Sequence, residues 1–458
     1  MSVTLVDVQS VASYNGMVPG YLAKCYTSHS ETISLPTLCE WAQVDFVHDG
    51  VVDVDFKQQL VYTMEHSKAI PYDVVSFDIG SATKGLDDIP GAFEYTIPTR
   101  PVSELIQRVE MVDSEIALAQ EKGTFVHVVV VGGGAAGIEL SMSLVGRWTP
   151  ILGRDLLQVT IVTSEQILLS EPQVTVEGHK ILEKIFQEHN IDICFGAHVT
   201  AVESSCVLLE NGLRIPFTHC VLATGAGCHD LASIMEQRGL AMTADGWIKV
   251  NEFLQSESHP NVFAAGDCCS MPLSTTKCNL SLHKSGVHAI RAGPVLARNL
   301  QLYLFDPTSK LGPYHPDDDF LKLIGCGDGT ALGFQYGIVM RGKWVWQLKD
   351  SLDRKFVDMF RPPKKQPSDK SIPQPSQDED VDLPRNEPPI PPREAANLLR
   401  RTDQNVDYQQ AATVLQHMAS YSSYRAKILE CFEETQKDEE DTTSCNYSSV
   451  PEVKAASS

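Results

Sequence analysis

Positive charge is scarce in this chain of 458 residues. Lysine and arginine number 37 against 59 aspartates and glutamates, which gives a formal net charge of −22. A nucleic-acid-binding protein needs a basic face that neutralises phosphates, so this balance argues against a nucleic-acid partner. No run of about 18 apolar residues occurs either, and the sequence therefore predicts no membrane-spanning helix. Residues 1–8 lack the charged head and long apolar core of a signal peptide and predict a strand.

Cysteine motifs are missing as well. The 12 cysteines are scattered and none forms Cys-x-x-Cys, so we expect free thiols in the cytoplasm or another reducing compartment. The adjacent pair Cys268-Cys269 leaves a redox role open, although adjacent cysteines close only a strained ring. No spacing of His, Cys, Asp or Glu predicts a metal site.

Composition changes after residue 361. Prolines are dense between 362 and 393, with Ser, Gln and Asp in much of the remainder, which predicts a disordered linker. Apolar residues at helical spacing predict a helix over 394–434, and recruitment of a protein partner is one interpretation of it. Residues 435–458 are acidic, rich in Ser and Thr, and predicted to be disordered. The first 361 residues alternate strands with helices, which is typical of an α/β fold.

The most specific motif is a glycine-rich loop between a strand and a helix. Five valines and a histidine at 126–131 predict a central parallel strand, and G-x-G-x-x-G follows at 132–137. The first glycine permits the turn, the second lets the backbone approach a pyrophosphate, and the third allows close helix–strand packing. The alternative is a glycine-rich turn without a ligand. The candidate cofactor-binding residues of the loop are Gly132, Gly134, Ala135 and Gly137.

Three later strand ends carry further signals. The strand at 159–162 is followed by Glu165, placed to bind the ribose 2′-hydroxyl of NAD, and we therefore favour NADH over NADPH. Two more strands end in Thr224-Gly225 and in Gly266-Asp267. Each end alone is compatible with an ordinary β-turn, but their order after a glycine-rich βα unit favours cofactor binding.

With these motifs the sequence resembles the flavoproteins that have two dinucleotide-binding domains. That superfamily includes the pyridine nucleotide–disulfide oxidoreductases and the type II NADH dehydrogenases. The sequence is most similar to bacterial FAD-dependent oxidoreductases related to the latter, some of which are fused to selenide, water dikinase. The matching stretches are 14–20, 72–81, 284–294 and 342–350.

The resemblance implies an α/β fold of two Rossmann-like three-layer domains, with the NAD(P)H domain inserted into the FAD domain. The implied segments are 1–105 for the first part of the FAD-binding domain, 106–226 for the NAD(P)H-binding domain, 227–304 for the second part of the FAD-binding domain, and 305–361 for a small C-terminal α+β region.

The resemblance also implies roles for single residues. Glu139, just after the last glycine, is placed near the nicotinamide as a catalytic residue, with a solvated helix position as the alternative. Asp7 is placed at the adenosine ribose, with a turn-forming role as the alternative. Thr224-Gly225 and Gly80-Ser81 correspond to the crossover between the domains. The remaining candidate positions at the FAD are Gly16, Pro19, Val52, Gly266, Asp267 and Ala289.

The implied function is an FAD-dependent NAD(P)H oxidoreductase that passes hydride from nicotinamide to flavin and electrons on to a small-molecule acceptor such as a quinone. The alternative is a non-catalytic nucleotide-binding or scaffold protein. A homodimer is possible within this class. Residues 341–365 contain eight basic and three acidic residues with an apolar stripe, which fits peripheral contact with a membrane or a helix packed on the body.

Two departures from the family pattern affect these expectations. No Cys-x4-Cys pair follows the N-terminal region, so a disulfide-reductase mechanism is disfavoured. The family's first strand and its FAD-binding G-x-G-x-x-G have no counterpart, because residue 1 falls at the second strand. An incomplete gene model or splice form, a second chain that supplies the unit, and a protein that no longer binds FAD are the three explanations, and we favour the first.

Overall fold

A computed structural model describes residues 2–26, 32–66, 68–170, 174–272, 284–306, 308–316 and 320–362. The predicted linker beyond residue 362, the predicted helix 394–434 and the predicted acidic tail 435–458 lie outside the described residues. Helices and strands are numbered separately in chain order. The helices are α1 (Val18–Leu22), α2 (Leu35–Ala42), α3 (Ala92–Tyr95), α4 (Val102–Lys122), α5 (Ala135–Leu152), α6 (Val176–His189), α7 (Leu231–Gln237), α8 (Gly286–Phe305) and α9 (Lys343–Asp358).

The strands are short and belong to several sheets. They are β1 (Thr4–Asp7), β2 (Val11–Ser13), β3 (Thr32–Ser34), β4 (Asp45–His48), β5 (Val51–Asp55), β6 (Leu60–Thr63), β7 (Ile70–Pro71), β8 (Val75–Phe77), β9 (Ala82–Thr83), β10 (Ile97–Pro98), β11 (Val126–Val131), β12 (Leu157–Val162), β13 (Ile191–Cys194), β14 (Val199–Glu203), β15 (Cys206–Leu209), β16 (Arg214–Pro216), β17 (His219–Leu222), β18 (Ala226–Gly227), β19 (Ile248–Lys249), β20 (Val262–Ala264), β21 (Cys269–Ser270), β22 (Lys322–Gly325), β23 (Ala331–Gln335) and β24 (Ile338–Gly342).

A five-stranded parallel sheet forms the centre of the structure, in the order β10-β17-β11-β12-β13. The valine-rich strand β11 lies in the middle, where Val128 and Val130 have no exposed surface. A strand buried on both faces needs apolar side chains at successive positions, which explains the run of valines. Helices α4, α5 and α6 contribute to the same apolar core, and so do Val18 and Leu22 of α1.

A second group of elements surrounds a separate apolar core. Parallel strands β8 and β20 pair with each other, and α7 and α8 pack their apolar residues with them. Strands β1 and β4 form another parallel pair, and β5, β6 and β7 form an antiparallel sheet. Within the described ranges, β1 and β8 each have one strand partner, so this part of the protein contains two parallel pairs and not one continuous sheet.

A C-terminal sheet of β22, β23 and β24 carries helix α9 and packs on α5. A Cβ added at Gly146 of α5 would lie 2.0 Å from the carbonyl oxygen of Gly327, and one added at Gly327 would lie 2.1 Å from that of Met142. Contacts this short exclude any side chain. The two glycines therefore let the turn between β22 and β23 touch the backbone of α5.

Helix α9 turns its apolar stripe inward. Val345, Leu348 and Val357 are at most 6% exposed, whereas Met359 just beyond the helix is 66% exposed. Of the two interpretations of this segment, packing on the body accounts for the stripe. Among the described residues no helix is both long enough and apolar enough to cross a membrane.

Candidate cofactor and active site

The glycine-rich loop joins β11 to α5 with a geometry that requires its glycines. Gly132 has φ +126°, and a Cβ there would lie 2.1 Å from the carbonyl oxygen of Ala223. A Cβ at Gly137 would lie 2.0 Å from the oxygen of Gly132, so only glycine lets the helix approach the strand end. At Gly134 a Cβ would meet nothing within 4 Å. Open space beside the N–H groups of the first helical turn, which begins at Ala135, fits a dinucleotide pyrophosphate.

Two further predicted residues lie at the same edge of this sheet. Strands β12 and β17 flank β11 in parallel, so their carboxyl ends lie beside the loop. Glu165 follows β12 with an exposed side chain, and its backbone N–H donates to Thr163 Oγ1 at 3.2 Å. Thr224 follows β17, and its hydroxyl donates to the carbonyl oxygen of Lys84. The backbone N–H of Lys84 in turn donates to the carbonyl of Gly225 at 3.1 Å.

The predicted FAD residues of the two chain segments meet at the carboxyl ends of β8 and β20. Ser81 Oγ donates to Asp267 Oδ2 at 2.9 Å, and Arg100 Nη2 lies 3.6 Å from the same oxygen. Gly266 has φ +74°, and a Cβ there would lie 3.4 Å from the Cβ of Ala289 in α8. Gly80, φ +70°, directly precedes Ser81. The structure therefore brings Gly80, Ser81, Gly266, Asp267 and Ala289 together.

Asp7 lies in the β1–β4 pair and Val52 in the β5–β6–β7 sheet, and neither sheet contains β8 or β20. Asp7 ends β1, and its Oδ1 accepts the N–H of Gln9 at 2.7 Å, as expected of a turn-forming aspartate. Val52 in β5 is 41% exposed. The hydrogen bonds and ion pairs of the described residues join neither of them to Asp267 or Gly16, and the roles that the resemblance implies stay predictions.

Glu139 is the fifth residue of α5, just beyond its first turn, and meets two other parts of the chain. Its Oε1 accepts the backbone N–H of Gly325, at the end of β22, at 2.7 Å. Burial raises the pKa of the Glu139 carboxyl to about 7, although the Lys349 charge and the Gly325 hydrogen bond act in the opposite direction. A carboxyl with such a pKa exchanges its proton near neutral pH.

Lys349 of α9 connects this carboxyl to the segment that carries Gly16 and Pro19. Its ammonium group donates to the carbonyl oxygen of Gly16 and to Asp353 Oδ2, the latter at 2.8 Å. Burial opposes the charge of Lys349, but Asp353 and Glu139 outweigh this effect and keep the pKa of the lysine above its ordinary value. Pro19 is buried in α1. The structure thus places Glu139, Lys349, Asp353 and Gly16 in one polar cluster.

Lys349 and Asp353 are functional candidates that sequence reasoning missed. Both were counted only toward the net charge of segment 341–365, whereas in the structure they are 5% and 7% exposed. One signal was available: they form an i,i+4 pair of opposite charge directly beside the apolar stripe of α9.

The adjacent cysteines carry neutral thiols. Cys268 Sγ donates to the carbonyl oxygens of Phe77 and Ala265 at 3.1 and 3.2 Å, and burial raises the pKa of this thiol well above its ordinary value. Burial also raises the pKa of Cys269 to about 12. Because the thiolate is the reactive form, neither residue is suited to thiol chemistry near neutral pH.

The glycine-rich loop between a central parallel strand and a helix defines an α/β protein of the dinucleotide-binding class. Residues 1–292 match the family of pyridine nucleotide-disulphide oxidoreductases, and the chain belongs to this family. Membership confirms the predicted α/β fold and the predicted FAD-dependent NAD(P)H oxidoreductase with FAD and NAD(P)H as its cofactors.

Individual relatives are distant. The chain is 24% identical over 355 residues to ferroptosis suppressor protein 1 of Homo sapiens. This alignment covers 73% of this chain and 84% of that protein. It is 26% identical over 230 residues to the alternative NAD(P)H-ubiquinone oxidoreductase C1 of Arabidopsis thaliana, covering 47% and 43%. Among solved structures, NDH2 of Plasmodium falciparum in complex with NADH superposes with a TM-score of 0.65 at 13% identity, covering 78% and 92%.

Proposed function

We propose that this protein oxidises NADH and reduces a quinone, with Glu139 as the residue that holds the proton for the quinone. The observation that carries the proposal is the position of a carboxyl with a pKa of about 7 between the nucleotide loop, the C-terminal sheet and the Gly16 segment. The name of the Arabidopsis relative, an NAD(P)H-ubiquinone oxidoreductase, supports a quinone as the acceptor.

The chain's own residues bind and orient the two nucleotides. The loop from Gly132 to Gly137 and the first turn of α5 hold the NADH pyrophosphate, and Glu165 accepts hydrogen bonds from the adenosine ribose. The polar group at Asp267 and Ser81 holds the flavin nucleotide. A flavin held there would supply the hydride acceptor and the source of electrons for the quinone.

Glu139 provides the proton that quinone reduction consumes. Each reduced quinone takes up two protons, and a carboxyl with a pKa of about 7 is protonated in about half of the molecules at pH 7, so it can donate one and be recharged. After Glu139 loses its proton, the ammonium group of Lys349 stabilises the carboxylate. Asp353 balances the lysine charge while Glu139 is neutral.

The test is Glu139→Gln, measured with two acceptors. Glutamine keeps the shape of the side chain and an oxygen that accepts the Gly325 N–H, but it has no ionisable proton to transfer. We expect quinone reduction to fall about 10²–10⁴-fold, while reduction of ferricyanide, which takes up electrons without protons, stays within about threefold of wild type. The exposed residue Glu177 supplies the control Glu177→Gln, which should leave both rates unchanged.

Two outcomes contradict the proposal. Equal loss with both acceptors would place Glu139 in nucleotide binding or hydride transfer and not in proton supply. A flavin-loaded wild type that oxidises NADH but reduces no quinone would exclude the quinone as acceptor.

A non-catalytic nucleotide-binding role is the second candidate. The strands that the resemblance assigns to the FAD domain favour this role, because they form the separate β1–β4 and β8–β20 pairs and not one continuous sheet. Purified protein that stays colourless after FAD is added would support this role, whereas bound flavin whose absorbance bleaches with NADH would exclude it. Preference for NADH over NADPH, the segment boundaries, a homodimer, membrane contact through 341–365 and a partner for 394–434 stay predictions.

A further inference from the structure

Buried cations hydrogen-bond to both ends of the segment from Gly16 to Leu22. Lys349 of α9 donates to the carbonyl oxygen of Gly16, and Arg147 of α5 donates through Nη1 to that of Leu22 at 3.0 Å. Each cation has its own carboxylate: Asp353 for Lys349 and Asp113 for Arg147. The segment is thus attached to α9 at one end and to α5 at the other.

Arg147 is the more constrained of the two cations. Its side chain has no exposed surface, and it binds Asp113 of α4 in a bidentate way, with Nε–Oδ1 at 2.7 Å and Nη2–Oδ2 at 2.6 Å. Trp148 Nε1 donates to the same carboxylate at 2.9 Å. Burial raises the pKa of Asp113, but the bonds from Arg147 and Trp148 outweigh this and hold the pKa below its ordinary value. Asp113 is therefore ionised at neutral pH.

A planar guanidinium fixes directions as well as charge. Its donors form a rigid fork, so bonds to Asp113 and to Leu22 set the angle between α4, α5 and α1 together. A buried ion pair adds little net stability over a well-packed apolar pair, so stability alone does not account for this arrangement. Arg147 follows Glu139 by eight residues on α5, about 12 Å along the axis. One rigid helix therefore carries the nucleotide loop, Glu139 and the anchor of α1.

We propose that Arg147, paired with Asp113, is a positioning residue that fixes the Gly16–Leu22 segment relative to Glu139 and so sets the geometry between the nicotinamide and flavin sites. This inference rests on the proposed function and on the positions at the FAD that the resemblance implies for Gly16 and Pro19. In the described part of the chain Arg147 bonds Asp113 and the carbonyl oxygen of Leu22, so it acts through Leu22.

The variant Arg147→Lys tests the geometry while it keeps the charge. A lysine makes a point contact and cannot hold Asp113 and Leu22 in one fork. Without substrate, we expect hydrogen exchange of the amides of Ala23, Lys24 and Cys25 to quicken about tenfold, because their hydrogen bonds to Pro19, Tyr21 and Gly20 close the end of α1. Exchange within β11 and β12 should not change. Asp113→Asn should act in the same direction.

The second readout is single-turnover reduction of the bound flavin by NADH in the absence of oxygen. A displacement on the order of 1 Å between reacting groups costs about a hundredfold in rate, so we expect slower reduction with the dissociation constants of both nucleotides within about threefold of wild type. Arg154→Lys is the control, since Arg154 Nη1 binds only the carbonyl oxygen of Glu188 among the bonds that the described part of the chain shows. It should change neither readout.

The outcomes separate this inference from the function on which it rests. Unchanged exchange at residues 23–25 together with an unchanged reduction rate would overturn the role of Arg147, and so would faster exchange throughout the β11–β12 core, which indicates general destabilisation. Failure of wild type to reduce a quinone would overturn the proposed function, yet the exchange and flavin-reduction readouts would still decide the role of Arg147.

Discussion

Replacing Glu139 by glutamine should change how the stability of the protein depends on pH. The unfolded carboxyl ionises with the ordinary pKa of 4.5, whereas burial raises the folded value to about 7. Between these two pH values the folded chain binds more protons than the unfolded chain. The free energy of unfolding therefore falls as the pH rises through this window, and it does not change further above about 7.

The magnitude follows from the two pKa values. Each pKa unit corresponds to 1.36 kcal/mol, so a pKa moved from 4.5 to about 7 costs the folded state about 3 kcal/mol once the pH exceeds both values. Glutamine has no ionisation and contributes none of this slope. Between about pH 5 and pH 8, the wild type should lose up to about 3 kcal/mol more than Glu139→Gln.

Equilibrium unfolding in urea provides the assay. The midpoint and slope are measured by tryptophan fluorescence and by far-UV circular dichroism at several pH values for wild type, Glu139→Gln and the exposed-site control Glu177→Gln. The control should retain the pH dependence of the wild type. If the curves of wild type and Glu139→Gln run parallel, Glu139 ionises like a solvated carboxyl and the proton-holding role loses its basis.

Three further changes have defined outcomes. Lys349→Met leaves Asp353 and Glu139 without their buried cation and should lower the free energy of unfolding by about 3–5 kcal/mol in urea unfolding; a loss as small as that of an exposed lysine would contradict the cluster. Gly146→Ala places a Cβ 2.0 Å from the Gly327 oxygen and should cost about 1–3 kcal/mol, whereas Gly293→Ala in α8, with open space, should be neutral or stabilising in the same assay. Glu165→Ser removes the carboxylate proposed to bind the ribose and should raise the KM for NADH about tenfold with little effect on kcat; an unchanged KM would refute the ribose contact.

Local patterns predicted the elements that depend on neighbouring residues. The valine run predicted a strand at 126–131, and β11 occupies these residues in the middle of the central sheet. The sequence pattern at 35–43 predicts a helix, and α2 spans Leu35–Ala42. The apolar run at 72–79 predicts a strand, but β8 is shorter and spans Val75–Phe77. Its apolar neighbours Tyr72 and Val74 pack against the second core outside any strand, and apolar composition does not separate these two situations.

The same reasoning left two environments open where charge and apolar patterns are compatible with both. The segment 343–358 reads as a basic amphipathic helix, and α9 forms there. Whether its stripe faces lipid, solvent or protein depends on the C-terminal sheet, which is assembled from other parts of the chain. The structure places the sheet under the stripe, and Lys349 and Asp353 become buried with it.

The glycine-rich loop could be recognised from local sequence, because Gly132 and Gly137 serve a turn and a helix–strand contact formed within six residues. The strand ends at Gly225 and Gly266 could also be recognised from local sequence, because these glycines mark turns with positive φ. The surroundings of Glu139 depend on tertiary structure. Gly325 donates to it from the C-terminal sheet, and the charge of Lys349, which also binds the Gly16 carbonyl, acts on it from α9. The pKa of a carboxyl depends on burial and on nearby charges, and both are properties of packing between distant segments.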